Sequence, residues 1–254
     1  MSTVAAVVVS HESPDDVARL LPSLLPQVDE TVVVANTPTS VRGVDEPVRV
    51  LVNSEPVGFA TNVNRGAAVT TADYVLTVNP DAVPRDGAVS TLRRFLDEHP
   101  RCGVAGPAMV YPDGTLQPSR RRFPTVFGTI VRRTPLRRLF DPYRLQQRHY
   151  HLGERPSEPV RADWMLAGFL LLRRTMLDEL GGFDDGYRLY GEDIDLCYRA
   201  CKAGWACWYV PGAVVEHAHQ AVTDRTLLTR WTLWHWRGIV RFVRKHPERL
   251  RALR

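Results

Sequence analysis

Short apolar runs alternate with amphipathic stretches over the first hundred residues of the chain. The apolar runs are rich in Val and other β-branched residues, which is typical of buried strands, and they lie at 3–10, 31–36, 48–53, 73–79 and 102–107. Stretches with helical periodicity separate them at 13–25, 58–71 and 85–99. Ser13 followed by Pro14 is a signal for the start of the first helix. This part of the sequence therefore predicts strands and helices in alternation.

The pattern changes after residue 107. The stretch 108–119 predicts a hairpin that turns at the sequence Pro-Asp-Gly, and residues 119–160 form an Arg- and Pro-rich excursion with weak periodicity. Strand, helix, helix and strand signals follow in turn, at 162–174, 175–182, 191–204 and 205–217. From residue 227 onwards the chain has the pattern of a basic amphipathic helix.

Strands that alternate with helices favour an α/β fold in which helices flank a mostly parallel central sheet. With 254 residues, 44% of them hydrophobic and 24% charged, the chain has the size and composition of a globular protein. We assign residues 1–220 to one domain, with 119–160 as its variable excursion. Residues 221–254 are predicted to form a C-terminal helical appendage.

Several classes of protein are disfavoured by the same patterns. No apolar run approaches the ~20 residues that a membrane-spanning helix requires. The start of the chain lacks the basic segment of a signal peptide, so it predicts a strand and a cytoplasmic location. Cys197 and Cys201 lie one helical turn apart, but no second close pair of Cys or His has zinc-finger spacing. Reduced, buried thiols are therefore favoured over a zinc site.

The net charge of +5 hides a strong segregation along the chain. Residues 120–148 contain nine Arg and one acid, and residues 225–254 contain nine Lys or Arg and one acid, so each segment carries +8. The remaining residues carry −11. An acidic body with two basic segments indicates surfaces that meet the phosphates of lipids, nucleotides or nucleic acids.

Two groups of acids are candidates for chemistry. Asp81 follows the apolar run 74–78 directly, where it could hold a divalent cation or simply cap the next helix. The second group lies within residues 184–195 and is larger than the helix dipole requires. Its five members are Asp184, Asp185, Glu192, Asp193 and Asp195. Such an excess of carboxylates beside Tyr187 and Tyr190 indicates a binding or catalytic site.

The order of these motifs resembles that of the inverting GT-A glycosyltransferases of family 2, in particular their bacterial rhamnosyltransferase-like branch. The resemblance rests on "NPD" after the fourth strand, "GGFDDGYRLYGEDIDLCYRACKAGW" and a trailing "VVEHAH". The stretches "NSEPVGFATNVNRGA" and "YPDGTLQPSRRRFPT" also resemble segments of that family. The match extends from residue 3 to about 220. It implies an enzyme that depends on Mg²⁺ or Mn²⁺ and uses a nucleotide-sugar donor, in which the sugar is linked to dTDP or UDP.

The resemblance also implies roles for individual residues. Asp193 matches the catalytic base, with Glu192 as its neighbour in the acceptor pocket. Asp81 matches a metal ligand, and His217 or His219 would complete the metal site. The donor nucleotide would be bound by residues after the early strands: Ser10, Glu12, Asn36, Asn53, Gly58, Phe59, Asn62, Arg65, Asn79 and Asp81. The acceptor and its phosphates would be bound by Arg120, Arg121, Arg122, Trp164, Gly168 and Tyr190.

These residue types suit the implied reaction. An acceptor hydroxyl is a poor nucleophile, so a carboxylate must take its proton as it attacks the anomeric carbon. A cation stabilises the charge that develops on the departing diphosphate. Arginine forks bind phosphate in a bidentate manner, although a solvated loop also explains the three consecutive arginines at 120–122.

Two departures from the family pattern affect the choice of donor. Ala35 occupies the position where the family usually has an acid that reaches the nucleotide base. Base recognition would then fall to Asn36, to the backbone near Ser10 and Glu12, or to Asn53 and the following helix. In addition, "HAHQAVTD" replaces the glycine and serine that usually follow the late histidine. Either change could mark an altered donor or a catalytically weakened homologue.

The C-terminal segment has two interpretations. Basic residues fall on one helical stripe and large apolar residues on another: Arg230, Arg237, Arg241 and Arg244, against Leu227, Trp231, Trp234 and Phe242. A basic, Trp-rich helix suits the inner face of the plasma membrane, where an acceptor on a lipid carrier would be found. Alternatively, the helix packs on its own domain or on a second copy of the chain in a homodimer.

Three functions remain open at this point. The favoured one is transfer of a sugar to a hydroxyl of a lipid-linked or cell-envelope glycan, with dTDP-L-rhamnose first among donors and UDP-linked hexoses, galactofuranose or N-acetylglucosamine next. A sugar-nucleotide-binding homologue without turnover is the second. A basic nucleic-acid-binding protein is the third, but it leaves the acids unexplained, because acids repel a phosphate backbone.

Overall fold

The computed structural model describes residues 1–123, 151, 153–218 and 230–251 of the 254-residue chain. Most of the predicted Arg-rich excursion, His219 and Leu227 lie outside the described residues, as do the side chains of Arg230 and Trp231.

A nine-stranded sheet forms the centre of the described structure, in the order β3-β2-β1-β4-β10-β6-β11-β5, with β8 paired to β11. Its strands are β1 (Val4–Ser10), β2 (Glu30–Ala35), β3 (Arg49–Val52), β4 (Tyr74–Val78), β5 (Ala82–Pro84), β6 (Cys102–Val110), β8 (Val160–Ala162), β10 (Phe169–Arg173) and β11 (Ala206–His217). Strands β7 (Arg120–Arg121) and β9 (Trp164–Met165) form a separate antiparallel pair.

Six strands of this sheet run in one direction, and β5, β8 and β10 oppose them. The predicted α/β fold is therefore confirmed, with an antiparallel strand, β10, placed between β4 and β6. The direction of β10 could not be predicted from the sequence, because a buried strand has the same apolar pattern in either direction.

Helices cover both faces of the sheet, in keeping with the continuous apolar pattern of the central strands. They are α1 (Pro14–Leu24), α2 (Phe59–Ala68), α3 (Ala88–Glu98), α4 (Arg174–Leu180) and α5 (Glu192–Lys202). Buried side chains of α1 and α3 belong to one hydrophobic cluster, and those of α2, α4 and α5 belong to the other. All seven residues of β1 are buried because this strand lies between the two layers.

The topology brings polar residues to one edge of the sheet. Ser10 pairs with Ala35, and Ala35 pairs with Val52, so the chain segments that leave β1, β2 and β3 emerge side by side. Val78 at the end of β4 pairs with Phe169, which places the turn before β10 at the same edge. Ligands of open α/β sheets bind at this edge, beyond the carboxyl ends of the strands.

Two further helices, α6 (Arg230–Lys245) and α7 (Glu248–Arg251), lie at the end of the chain. Helix α6 packs on the domain itself: Phe242 is buried, its ring lies 5.6 Å from that of Tyr198 on α5, and Lys245 pairs with Asp184 and Asp195. Within the described residues, no helix has both the length and the apolar character needed to cross a membrane.

Candidate active site

The predicted metal ligands Asp81 and His217 come together where β5 and β11 pair. His217 lies opposite Ala82 in the antiparallel register, and its Nε2 is 3.4 Å from Asp81 Oδ1. The backbone N–H of Ala218 also donates to the carbonyl of Asp81. Asp81 thus lies in the turn between β4 and β5, which the sheet holds on both sides.

The orientation of His217 suits a cation. Its Nδ1 lies 2.8 Å from Gln117 Oε1, which can accept a hydrogen bond from it. The tautomer with the proton on Nδ1 leaves Nε2, 3.4 Å from Asp81 Oδ1, available as a ligand. Metal-binding histidines commonly donate their other N–H to such an acceptor. Asn79 and Gly168 adjoin this pair: a Cβ on Gly168 would lie 3.0 Å from Asn79 Nδ2 and 3.7 Å from His217 Nε2.

Asp81 and His217 form a pair rather than a complete metal cage. The described residues contain no group of three His, Cys, Asp or Glu side chains placed to hold a metal ion. Mg²⁺ and Mn²⁺ in enzymes of phosphate chemistry are commonly held by one or two protein side chains together with oxygens of substrate phosphates and water. The donor set therefore fits a cation that binds with its substrate. The other predicted ligand, His219, lies outside the described residues.

The predicted catalytic pair begins helix α5. Gly191, with φ of +102°, precedes the helix, so Glu192 and Asp193 occupy its first two positions. Asp193 Oδ1 accepts a hydrogen bond from the backbone N–H of Ile194, at 2.8 Å. Its side chain remains partly accessible to solvent, whereas Glu192 is buried and its Oε2 has no hydrogen-bond partner among the described residues.

The two carboxyl groups of this pair differ in acidity. Burial raises the pKa of Glu192, and the neighbouring charge of Asp193 raises it further, to about 8. Burial also raises the pKa of Asp193, but the backbone amides of Ile194 and Ala167 and the positive charge of Arg121 act against this rise. Asp193 therefore ionises first and Glu192 keeps its proton at neutral pH. Environments that separate two carboxyl groups in this way allow one to serve as a base while the other remains a hydrogen-bond donor.

The segment Ala167–Gly168 connects the two pairs of residues. The Ala167 backbone amide acts on the Asp193 carboxylate, and the next residue, Gly168, adjoins Asn79 and His217. In addition, the Gly168 carbonyl accepts a 2.7 Å hydrogen bond from the backbone N–H of Asn79. The predicted base, Asp193, therefore lies next to Ala167, and the predicted metal ligand His217 lies next to Gly168. Both are at the same edge of the sheet.

Four of the residues predicted to bind the donor nucleotide form a network of polar side chains. Asn53 Nδ2 donates to Asn36 Oδ1 at 3.0 Å and to Asn62 Oδ1 at 2.6 Å, and Arg65 Nη1 donates to Asn53 Oδ1. Asn36 also binds both backbone polar groups of Val57. The three asparagines are buried, so they hold the 53–58 loop in place, and only Arg65 is exposed.

Ser10 is also fully buried, and its hydroxyl donates to the carbonyl of Ser40. Exposed residues at this edge include His11, whose ring nitrogen lies 3.3 Å from Asn36 Nδ2, and Glu12, which has φ of +55°. The Ser40 hydroxyl accepts a hydrogen bond from the Glu12 backbone N–H. The buried serine and asparagines therefore support this surface, and they direct His11 and Glu12 outward.

Gly58 and Phe59 begin helix α2 against the loop that precedes the catalytic pair. A Cβ on Gly58 would lie 2.7 Å from the carbonyl oxygen of Tyr187 and 2.8 Å from that of Arg188, so only glycine fits there. The backbone N–H of Phe59 donates to the Arg188 carbonyl. Helix α2 and the loop that precedes Glu192 and Asp193 are thus in direct contact.

The three consecutive arginines have different environments. Arg120 forms an ion pair with Glu154. Arg121 lies over the ring of Trp164 at 5.1 Å, and its positive charge lowers the pKa of Asp193. Arg122 is exposed, and its carbonyl accepts a hydrogen bond from Trp164 Nε1. Of the three, Arg121 is the one that pairs with Trp164 in the β7–β9 ladder and lies near Asp193.

Two supporting residues were missed at the level of sequence. Gln117 orients His217, and its amide lies in the predicted hairpin without any signal that distinguishes it from other turn residues. Asn64 on α2 holds Phe183 through hydrogen bonds to both of its backbone polar groups. The sixth predicted acceptor residue, Tyr190, immediately precedes Gly191 and contacts helix α6.

Comparison with known proteins identifies the family of the chain. The family model described as glycosyl transferase family 2 matches residues 5–181. The chain is 32% identical over 240 residues to the N-acetylglucosaminyl-diphospho-decaprenol L-rhamnosyltransferase of Mycobacterium tuberculosis H37Rv, covering 81% of this chain and 74% of the relative. It is 27% identical over 176 residues to the rhamnosyltransferase WbbL of Escherichia coli K12, covering 67% and 61%.

Solved structures share the fold. The chain superposes on GalNAc-T7, determined with UDP, GalNAc and Mn²⁺, with a TM-score of 0.65 and 16% identity, covering 94% of this chain and 48% of that one. The mannosyltransferase PcManGT of Pyrobaculum calidifontis, determined with GDP-Man and Mn²⁺, gives a TM-score of 0.59 and 16% identity, covering 97% and 64%. With a GT-A architecture and a family model matched over more than half of its length, the chain is a glycosyltransferase that belongs to glycosyl transferase family 2.

Proposed function

We propose that the protein is an inverting, metal-dependent transferase that moves a sugar from a nucleotide donor to a hydroxyl of a lipid-linked or cell-envelope glycan. The observation that carries the proposal is the position of the Asp81–His217 pair and the Asp193–Glu192 pair at the two ends of Ala167–Gly168. Because two relatives are named as rhamnosyltransferases, L-rhamnose from dTDP-L-rhamnose is the first donor to test.

Asp193 acts as the base in this proposal. Its carboxylate takes the proton of the acceptor hydroxyl as that oxygen bonds to the anomeric carbon. The bond between the anomeric carbon and the donor diphosphate breaks in the same step, and its electron pair leaves with the diphosphate. Glu192 stays protonated, so it donates a hydrogen bond to a sugar oxygen without adding a second negative charge beside the base.

In this proposal Asp81 and His217 would hold the divalent cation, and Gln117 would fix the histidine ring. When bound, the cation supplies positive charge that stabilises the leaving diphosphate. The solved structures of GalNAc-T7 and PcManGT were both determined with Mn²⁺ and a nucleotide or nucleotide sugar, which supports this assignment. One nitrogen and one oxygen ligand favour Mn²⁺ over Mg²⁺, because Mg²⁺ selects oxygen ligands more strictly.

Nucleotide contacts are assigned to the exposed part of the donor side. Ser10, Asn36, Asn53 and Asn62 are buried and serve as its support. We assign direct contacts to His11, Glu12 and Arg65, and to the chain at Gly58 and Phe59. The missing acid at Ala35 would then be compensated from the His11–Glu12 segment, which the Asn36 and Ser40 side chains hold in place.

The acceptor is assigned to the side of Asp193 that faces Arg121. This guanidinium lies over Trp164 and close enough to influence the base, so it suits an acceptor phosphate beside the reacting hydroxyl. The M. tuberculosis relative is named for a diphospho-decaprenol acceptor, which supports a lipid-linked substrate. We further propose that the exposed Arg237 and Arg244 of α6 bring the enzyme to an anionic membrane surface.

The decisive experiment measures metal-dependent release of nucleoside diphosphate from dTDP-L-rhamnose and a panel of UDP-linked sugars, with and without Mn²⁺. Turnover that is lost on chelation and in Asp193→Asn supports the transferase. A donor that binds without turnover indicates a sugar-nucleotide-binding homologue. Salt-sensitive oligonucleotide binding with no donor binding would instead support the nucleic-acid binder.

A further inference from the structure

The loop that leads into the catalytic pair is covered by the C-terminal helix. This loop, residues 183–191, connects α4 to α5 and is called the 183–191 loop below. We infer that helix α6 positions the 183–191 loop, and with it Glu192 and Asp193, so that the C-terminal helix is a positioning element of catalysis. The inference rests on the proposed function for the roles of these two acids.

Gly238 of α6 packs directly against Tyr190. Tyr190 has φ of +70°, a left-handed conformation that a bulky residue adopts only when its surroundings impose it. Its carbonyl oxygen lies so close to Gly238 that a Cβ there would overlap it, and its ring lies 5.4 Å from that of His235. Helix α6 therefore supports the strained turn directly before the catalytic helix.

Ionic contacts fix the beginning of the 183–191 loop to the same helix. Asp184 accepts hydrogen bonds from Arg241, at 2.6 Å, and from Lys245, at 2.7 Å. The Arg241 guanidinium lies over Gly186, where a side chain would clash with it, and 5.4 Å from the ring centre of Tyr187. The loop is thus held to α6 at both of its ends.

The catalytic helix is fixed to the end of α6 one half-turn beyond Asp193. Asp195 is fully buried and bonds to His246 at 2.8 Å, to Lys245 at 2.9 Å and to Arg199 at 2.7 Å. Burial alone would raise the pKa of Asp195, but these hydrogen bonds and positive charges outweigh it and lower the pKa. This acid is therefore an ionised anchor rather than a second base.

Helix α2 holds the opposite side of the 183–191 loop. Asn64 donates to the carbonyl of Phe183 and to Asp185 Oδ1, and Gly58 lies under the carbonyls of Tyr187 and Arg188. The loop is consequently clamped between the donor-side helix and α6. Loss of the contacts with α6 would leave the loop attached to α2 but would release the start of α5.

Gly238→Ala tests this inference by placing a methyl group between α6 and the loop. Alanine is intrinsically better than glycine inside a helix, but its Cβ would overlap the Tyr190 carbonyl oxygen, so the 183–191 loop has to move and some loss of stability is expected under either interpretation. The discriminating readouts are therefore kcat and local exchange in the folded variant. We expect a roughly tenfold or larger fall in kcat for dTDP-L-rhamnose turnover, with Mn²⁺-dependent affinity for dTDP changed less than about threefold. Hydrogen exchange should show faster exchange in residues 183–191. Gly212→Ala is the matched control, since a Cβ there meets only Thr91 at 3.7 Å.

Arg241→Gln tests the same clamp without introducing a steric clash. Because the Arg241 side chain is 44% exposed, this substitution should not prevent folding. It should also accelerate exchange in residues 183–191 and lower kcat. If both folded variants exchange like wild type in this loop, or keep full kcat despite faster exchange, the inference is wrong. Absence of turnover in the wild type with every donor would refute the proposed function, and hydrogen exchange would still decide whether α6 holds the loop.

Discussion

Glu192→Gln separates the two carboxyl groups of the catalytic pair more sharply than any other substitution. The pKa of Glu192 rises from its ordinary value of 4.5 to about 8, first because the side chain is buried and second because Asp193 is charged. Below pH 4.5 the folded and unfolded chains both hold this proton. Between pH 4.5 and 8 the unfolded chain releases it and the folded chain keeps it, so the wild-type protein loses stability as the pH rises.

The size of this loss follows from the two pKa values. A group that keeps its proton in the folded chain and releases it in the unfolded chain costs about 1.4 kcal/mol for each pH unit of this interval, so the loss from pH 4.5 to 8 amounts to a few kcal/mol. Glutamine is neutral at every pH and nearly isosteric, so Glu192→Gln should escape this loss. We expect the variant to gain stability over wild type as the pH rises from 5 to 8 in urea unfolding.

The same substitution makes a prediction about catalysis. Above pH 8 ionised Glu192 would place a second negative charge beside Asp193 and against the leaving diphosphate, so wild-type kcat should fall there. Glu192→Gln should keep most of the activity at pH 7 and lose this alkaline decline. Asp193→Asn should lower kcat by a factor of about 10² to 10⁴, the usual contribution of a general base.

Two results would refute this division of roles. One is a Glu192→Gln variant that loses activity at pH 7 as completely as Asp193→Asn, which would make Glu192 the base. The other is a stability difference from wild type that does not change between pH 5 and 8, which would show that Glu192 is ionised in the folded protein. Glu98→Gln, an exposed glutamate on α3, provides the control for a substitution of the same chemistry.

Three further predictions concern the metal, the donor and the membrane. Gln117→Ala should weaken activation by Mn²⁺ about 10- to 100-fold, measured by metal titration of turnover, while kcat at saturating Mn²⁺ is restored; unchanged activation would exclude a role in orienting His217. Asp81→Asn should reduce both Mn²⁺-dependent dTDP binding in calorimetry and kcat, whereas Asp193→Asn should leave binding intact; equal binding in both would separate Asp81 from the metal. Arg237→Gln with Arg244→Gln should weaken sedimentation with anionic vesicles but not with neutral ones, by about 1 kcal/mol for each residue; equal sedimentation would assign membrane contact elsewhere.

Much of the fold was predictable from the sequence because its signals are local. The apolar runs that became β1, β2 and β4 are bounded by helix-start residues and turns, and burial on both faces leaves them almost without polar side chains. The helix α5 begins where the acids and Gly191 predicted it. The direction of β10 and its insertion between β4 and β6 were not predictable, since they depend on pairing between residues almost a hundred positions apart.

The sequence indicated residues that the structure brings to one edge of the sheet, but it did not show which of them are buried. Asn36, Asn53 and Asn62 stand at the predicted edge, but Asn53 Nδ2 bonds to the side-chain oxygens of the other two, and burial keeps all three away from solvent. The sequence likewise left two interpretations of the C-terminal helix open. The burial of Phe242 and the pairing of Arg241 with Asp184 show that one face of this helix packs on its own domain.

By itself, the sequence determined the alternation of elements, the family, and the identity of the acids, because each depends on residue type and short-range spacing. Only the tertiary structure decided which of these acids ionises, which one anchors a helix, and what holds the catalytic loop. Asp193 and Asp195 are two positions apart on one helix, yet one is influenced by Arg121 and Ala167 and the other is enclosed by His246, Lys245 and Arg199. The physical reason is that the acidity of a carboxyl group depends on burial, neighbouring charges and hydrogen bonds, and these are supplied by residues distant in the chain.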